Sequence, residues 1–291
     1  MDAQLDLPLP RSWNGAEVLL VAMNDKLGEV QLENLLGQSP VPVVLNLGGV
    51  GRTEIWGREL LVKLEALARA GSHESRELGP RLKPDLRVIP RSQAGDGAAM
   101  RVVVLGASLG GPKAVTRFLR ELPEDLPLAL LLAQHISEPF QDLLAEQLDR
   151  CSAWRVAVLS GQRELEPGHA WLLPAQSRVA MDPRGLLRCC AEPWRSVQKP
   201  DINLVLSDAA NNFGARCGAI MFSGLGGDGA QGCQMIARHG GFVWAQSSES
   251  CTMASLPAAA RRSAKIEFSG TPEELARELA SRCQLHPTSI N

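Results

Sequence analysis

No stretch of this chain is apolar for long enough to span a bilayer. The longest run, around Leu126 to Ala133, falls well short of the roughly 20 residues required. The opening segment MDAQLDLPLP has neither a basic n-region nor an apolar core, so it does not read as a signal peptide. Membrane insertion is not expected. An excess of charge of one sign is missing too. Thirty Lys and Arg against 32 Asp and Glu leave a formal net charge of −2. That near-balance argues against nucleic acid or an anionic membrane as the main partner. The seven cysteines show no C-x-x-C spacing, and Cys189-Cys190 is simply adjacent. Such scatter suits neither a metal site nor a disulfide framework, and it fits reduced thiols in a cytoplasmic protein. There are only five histidines, and there is no internal repeat or low-complexity tract.

What the sequence does hold is concentrated in Arg101 to Lys113, RVVVLGASLGGPK. Val102 to Leu105 is a β-branched apolar run, the pattern of a strand buried on both faces. Gly106 to Gly111 turns the chain, and Pro112 suits the first turn of a helix, where its missing N–H is not needed. The helix continues over Ala114 to Leu122. Ser108 therefore stands on a strand–turn–helix elbow, and Gly106-x-Ser108-x-Gly110 fits the nucleophile elbow of serine hydrolases. Gly106, Ser108 and Gly111 also form a degraded dinucleotide fingerprint. On this stretch alone, nucleophile and anion cradle both stand.

Taken in order, residues 1–72 read as a small α/β region. Strands are expected at Glu17–Met23 and Val41–Leu47, helices at Leu27–Leu36 and Glu54–Ala70, and a glycine loop at Gly48–Gly51. Residues 73–99 have no periodicity and several Gly and Pro, the composition of a linker. From residue 100 the pattern alternates strand and helix, which predicts an α/β fold with a doubly wound, mostly parallel sheet. Strands are expected at Leu128–Ala133, Cys217–Ser223 and Gly241–Gln246. Helices are expected over Pro139–Leu148, Ile202–Ala210, from after Gly229 to about His239, and Leu275–Cys283. The short runs Val156–Leu159, Ala170–Leu173, Arg178–Met181 and Leu186–Cys189 read as a small antiparallel insertion. Asp182-Pro183-Arg184-Gly185 is its hairpin turn.

Three apolar strands end in a polar residue, where an α/β sheet keeps its ligand site. Ser108 follows the first, His135 the second and Asp228 the third. Parallel strands would bring them to one rim as nucleophile, base and orienting carboxylate. Each has a plainer reading: a turn serine, a structural histidine and a helix cap. Three such coincidences at three strand ends are a weaker account than one site. The dinucleotide reading also loses ground, because the second strand ends in Gln134-His135 and not in a ribose-binding acid. His73 and His286 fall in surface segments, His169 in a turn and His239 at a helix C-terminus, so none joins the site.

The ordered series GASLGG (Gly106–Gly111), AQH (Ala133–His135), EPGHA (Glu166–Ala170), FSGLGGDGA (Phe222–Ala230), Ala245-Gln246, Glu249-Ser250-Cys251 and Leu256-Pro257 resembles the catalytic domain of the CheB protein-glutamate methylesterases. The likeness runs from about residue 100 to 291. It implies a triad of Ser108, His135 and Asp228. Backbone N–H groups around Leu109, Gly110, Leu225 and Gly226 would face the oxyanion or the substrate. It implies no metal and no organic cofactor. The implied substrate is the glutamate methyl ester of chemoreceptor signalling helices, with glutamine deamidation as a second activity. An inactive receptor-binding scaffold is the alternative from another class, and a generic small-ester hydrolase is a third reading.

Three features depart from the family pattern. Leu109 replaces a common threonine and Leu225 a common methionine. Gln198–Asn203 replaces a more arginine-rich segment near the substrate groove, with Asp201 and Asn203 where the family has serine and aspartate. The family commonly begins with a phosphoacceptor receiver domain. Residues 1–72 are short for one, and no acidic pair follows the first strand. Asp25 is the single candidate phosphoacceptor, so the region reads as a degenerate receiver and phosphorylation is not carried over.

Overall fold

Val103, Leu105 and Ala107 pack into one hydrophobic cluster, while Val102 and Val104 pack into another. This alternation on one strand reports a sheet covered on both faces. The computed structural model describes residues 19–22, 43–46 and 101–285. The chain divides into two units, Met1–Ile89 and Pro90–Asn291. In the first, β1 (Leu19–Ala22) and β2 (Val43–Asn46) pair in parallel, as two of the expected strands. The expected helices, the glycine loop, Asp25, His73, His286 and the linker over 73–99 lie outside the described residues.

The second unit is built on seven strands, all paired in parallel. In chain order these are β3 (Arg101–Ala107), β4 (Leu128–Gln134), β5 (Arg155–Val158), β7 (His169–Leu172), β10 (Cys217–Met221), β11 (Phe242–Gln246) and β12 (Phe268–Gly270). In space they run β12-β11-β10-β3-β4-β7-β5. The chain builds one side first, through β4, β5 and β7, and then crosses back to β10. The strand order therefore reverses between β3 and β10, and a ligand crevice opens at the carboxyl ends of such a pair.

Helices cover both faces. Three of them, α1 (Gly111–Glu121), α2 (Gln141–Cys151) and α6 (Pro272–Leu285), bring Phe118, Leu119, Leu144, Leu148, Leu275 and Leu279 to one side. The other side receives Val205, Leu206, Cys233, Ile236, Leu256 and Ala260 from α3 (Ile202–Phe213), α4 (Ala230–Arg238) and α5 (Ser255–Ser263). Each presents its apolar stripe to the sheet at helical spacing.

A separate antiparallel sheet runs β6-β9-β8, from β6 (Gln162–Glu164), β8 (Val179–Met181) and β9 (Leu186–Cys189). The turn between β8 and β9 is the expected one. Asp182 accepts N–H bonds from Arg184 and Leu186, and Gly185 takes φ 91°. The N–H of Leu186 is the main influence holding the Asp182 carboxyl below its usual range.

The extent of the insertion needs correction. Val156–Leu159 and Ala170–Leu173 were expected within it, yet β5 and β7 belong to the main parallel sheet. Val156, Ala170 and Leu172 bury against the same cluster as β4, and Leu130 pairs with Ala170. Short strands at the sheet's edge carry too few residues to announce which sheet they join. Helix α5 and strand β12 were not expected either. Helix α5 is rich in alanine with Pro257 in its first turn, so its stripe has little apolar contrast, and β12 has three residues, too few to show a period.

Candidate active site

The register of the central strands aligns the three loops. Ala107 pairs with Gln134, and Gly106 with Met221. Ser108 and His135 thus each lie one residue past the same level of the sheet. The His135 N–H donates to Ala107 O at 2.9 Å, and the Ser108 N–H donates to Ser223 O at 3.1 Å.

The elbow is as tight as its glycines require. Gly110 has φ 80°, a left-handed conformation that disfavours a side chain, and it caps the start of α1. A Cβ there would also come within 2.5 Å of Thr252 Cβ. Gly224 has a different reason to be glycine. A Cβ on it would lie 2.8 Å from the Cβ of Ser108 and 2.7 Å from Leu256 Cδ2. The loop after β10 therefore runs directly against the elbow.

His135 and Asp228 meet. Nε2 of His135 is 2.9 Å from Oδ2 of Asp228, and their side chains are only 10% and 9% exposed. Asp228 also accepts the N–H of Ile202 on Oδ2 at 2.8 Å and that of Asn203 on Oδ1 at 3.0 Å. Both donors are orphan N–H groups at the start of α3, where the helix dipole favours an anion. A carboxylate so held is an acceptor only, so the proton between it and His135 sits on Nε2. In the neutral tautomer this leaves Nδ1 of His135 as the acceptor nitrogen. It is buried and has no hydrogen-bond partner among the described residues. The Ser108 hydroxyl makes no hydrogen bond to a described residue.

Side chains outside the expected set of site residues complete the frame. Gln134, at 2% exposure, donates one amide to both Ser108 O (2.8 Å) and His135 O (2.9 Å). Asp201 caps α3 through the N–H of Leu204. Burial raises its carboxyl above the usual range, and the nearby Asp228 adds to the rise. Asn203 Oδ1 accepts the Gly232 N–H and so ties α3 to α4. The alternating acid and amide at 201 and 203 were visible in the sequence, but their partners were not.

The expected backbone donors divide. The N–H of Gly226 is taken by Ser255 Oγ at 3.1 Å, and that of Gly224 by Met253 O at 2.9 Å. Gly226, expected at the oxyanion, is thereby engaged in holding its own loop. The N–H groups of Leu109, Gly110 and Leu225 make no hydrogen bond with a described residue. Leu225 keeps its side chain buried at 3% exposure. Among the remaining histidines, His169 stacks on Trp171 and His239 caps the end of α4, both away from this cluster. No group of metal-binding side chains occurs among the described residues, and none of their helices is long and apolar enough to cross a membrane.

Comparison with known proteins gives the family. Residues 103–279 match the family model for the CheB methylesterase domain. The chain belongs to the CheB methylesterase family. Among the curated CheB-type relatives is a protein-glutamate methylesterase/protein-glutamine glutaminase of Pseudomonas aeruginosa. It is 31% identical over 186 residues, which are 64% of this chain and 50% of the relative. Another, from Myxococcus xanthus, is 32% identical over 208 residues, 70% of this chain and 58% of the relative. The chain thus matches only about half the length of these CheB relatives. In fold it is similar to the CheB methylesterase catalytic domain of Thermotoga maritima, with TM-score 0.61 and 22% identity, covering 64% of this chain and 100% of that domain.

Proposed function

We propose that this protein is a serine esterase that hydrolyses glutamate methyl esters on a protein substrate, with Ser108, His135 and Asp228 as its triad. The observation that carries the reading is the His135–Asp228 pair, whose Nε2···Oδ2 contact leaves Nδ1 of His135 buried and without a hydrogen-bond partner among the described residues, at the sheet level of Ser108. In this mechanism Ser108 Oγ attacks the ester carbonyl and His135 Nδ1 takes its proton. Asp228 holds the tautomer and stabilises the imidazolium. The N–H groups of Leu109, Gly110 and Leu225 are the donors for the tetrahedral oxyanion. Methanol leaves with the proton from His135. Water, activated by the same nitrogen, then releases the glutamate carboxylate and frees Ser108. The same sequence on a glutamine side chain releases ammonia, so deamidation is the companion activity.

The relatives' names support both activities, and the family relation supports methyl-accepting chemoreceptors as the substrate proteins. The test is incubation with methyl-labelled chemoreceptor signalling domain and measurement of released methanol. Labelling by a fluorophosphonate, lost on Ser108→Ala, is the companion measurement. Labelling without methanol release points to an esterase of another substrate. Absence of both overturns the enzymatic reading.

A further inference from the structure

A polar pocket of 170 Å³ opens beside the elbow, and Gly110, Lys113, Arg117, Ser223, Cys251 and Thr252 are among its lining residues. It is smaller than the pockets that enclose whole organic ligands, of about 300 Å³ and upward. A side-chain end is the size that fits. Most of its polar groups are already committed. Ser223 Oγ donates to Leu109 O at 2.8 Å and accepts the Met253 N–H at 3.0 Å. Gln246 accepts the Ser223 N–H at 2.8 Å and donates to Ser250 O at 2.8 Å. Arg117 is held in a two-pronged pair with Glu273, at 2.5 and 2.8 Å. Burial pushes the Cys251 thiol up to about 11, so it is neutral near pH 7, and Arg261 and Glu249 act on it with opposite charge.

Two groups remain uncommitted. Lys113 is exposed and makes no ion pair with a described residue. The Thr252 hydroxyl, packed against the Gly110 backbone, makes no hydrogen bond with a described residue. An unspent ammonium and an unspent hydroxyl over a rigid, satisfied floor suit a carboxylate. Gly110 and Ser223 are shared between this pocket and the elbow. A group held there and an ester held at Ser108 would share one short stretch of a substrate chain.

We infer that Lys113 and Thr252 form a subsite for a free carboxylate that flanks the reacting ester in the substrate chain. The inference rests on the methylesterase reading and extends it to substrate choice. It has a chemical corollary. Each hydrolysis converts a neutral ester into a carboxylate. On a substrate with several neighbouring glutamyl esters, each product becomes a ligand that favours attack on the next.

The test uses peptides with one glutamate methyl ester. Each carries a single free glutamate one to four positions to either side, and an alanine-flanked peptide is the reference. Methanol release gives kcat/KM. For the unsubstituted protein, at least one glutamate position is expected to raise kcat/KM about fivefold over the reference, and the gain should shrink in high salt. Lys113→Ala and Thr252→Val are expected to lose the gain while turning over the alanine peptide within about twofold of the parent. Lys113→Glu should reverse the preference. A wild-type preference that survives Lys113→Ala, or no preference at any position, overturns the subsite. If no peptide is hydrolysed, the methylesterase reading fails instead. Binding of the same peptides to the Ser108→Ala protein then still reads the pocket, and equal affinity for glutamate and alanine peptides overturns it.

Discussion

Nε2 of His135 lies 2.9 Å from Oδ2 of Asp228, and the same oxygen accepts the Ile202 N–H at 2.8 Å. Imidazole and helix start therefore share one oxygen, which has a lone pair for each. The other oxygen is satisfied by Asn203. Asp228→Asn offers an amide in place of one of these acceptors and leaves a buried donor unmet. Turnover is expected to fall by about a thousandfold or more, as is that of His135→Ala and Ser108→Ala. Combining either with Ser108→Ala should cost nothing further, because the three act on one proton. Steady-state methanol release from the single and double variants checks this, and losses that multiply would show the residues to act independently.

Gly224→Ala tests the contact between the two loops. Its φ is not in the left-handed region, so backbone strain does not enter. The new methyl needs space already filled by Ser108 Cβ and Leu256. The elbow or α5 must yield. At least about a tenfold loss of kcat is expected, because small misplacements at a reacting centre are costly. Circular dichroism should be nearly unchanged. A variant that loses fold and activity together would show the contact to serve packing alone.

Asp201→Ser should stabilise the protein near neutral pH. The raised carboxyl of Asp201 binds its proton more tightly in the folded state than in the unfolded one. Stability from this group is therefore present below the ordinary value of 3.8 and falls as pH rises through the higher folded value. Serine keeps the cap to Leu204 and removes the charge. The melting temperature of the variant should exceed that of the parent at pH 7 and converge on it in acid. An advantage that persists unchanged at pH 3 would contradict the electrostatic account.

A fragment of residues 100–291 is expected to fold and to show the proposed esterase activity. The second unit, Pro90–Asn291, carries the whole seven-stranded sheet and both clusters that cover it. A small-molecule phosphodonor should not raise the activity of the full chain. Methanol release from chain and fragment, each with and without phosphodonor, decides. Stimulation confined to the full chain and lost on Asp25→Ala would identify residues 1–99 as a working receiver.

The central strands were legible because burial on both faces leaves near-continuous apolar runs, as in Val102–Leu105 and Leu128–Ala133. The loops after them were legible because glycine and the polar residues Ser108, His135 and Asp228 interrupt those runs abruptly. β5 and β7 were misplaced because four residues with modest apolarity do not say which sheet they extend. The pairing of Asp228 with the start of α3 had no signature at all. It joins residues 26 apart in the chain, through backbone groups that every sequence possesses. Gly226 illustrates the same limit: its N–H was visible as a donor, but the Ser255 hydroxyl that takes it lies 29 residues away.

One buried amide, that of Gln134, donates to the carbonyls of both Ser108 and His135. In the proposed triad, the separation of Ser108 and His135 is thus gauged by a third residue that bonds their backbones and neither of their side chains. Its length is the spacer. Asparagine in its place, one methylene shorter, cannot reach both carbonyls from the same backbone position. Such a chain would possess every group the chemistry names and still hold two of them at the wrong separation.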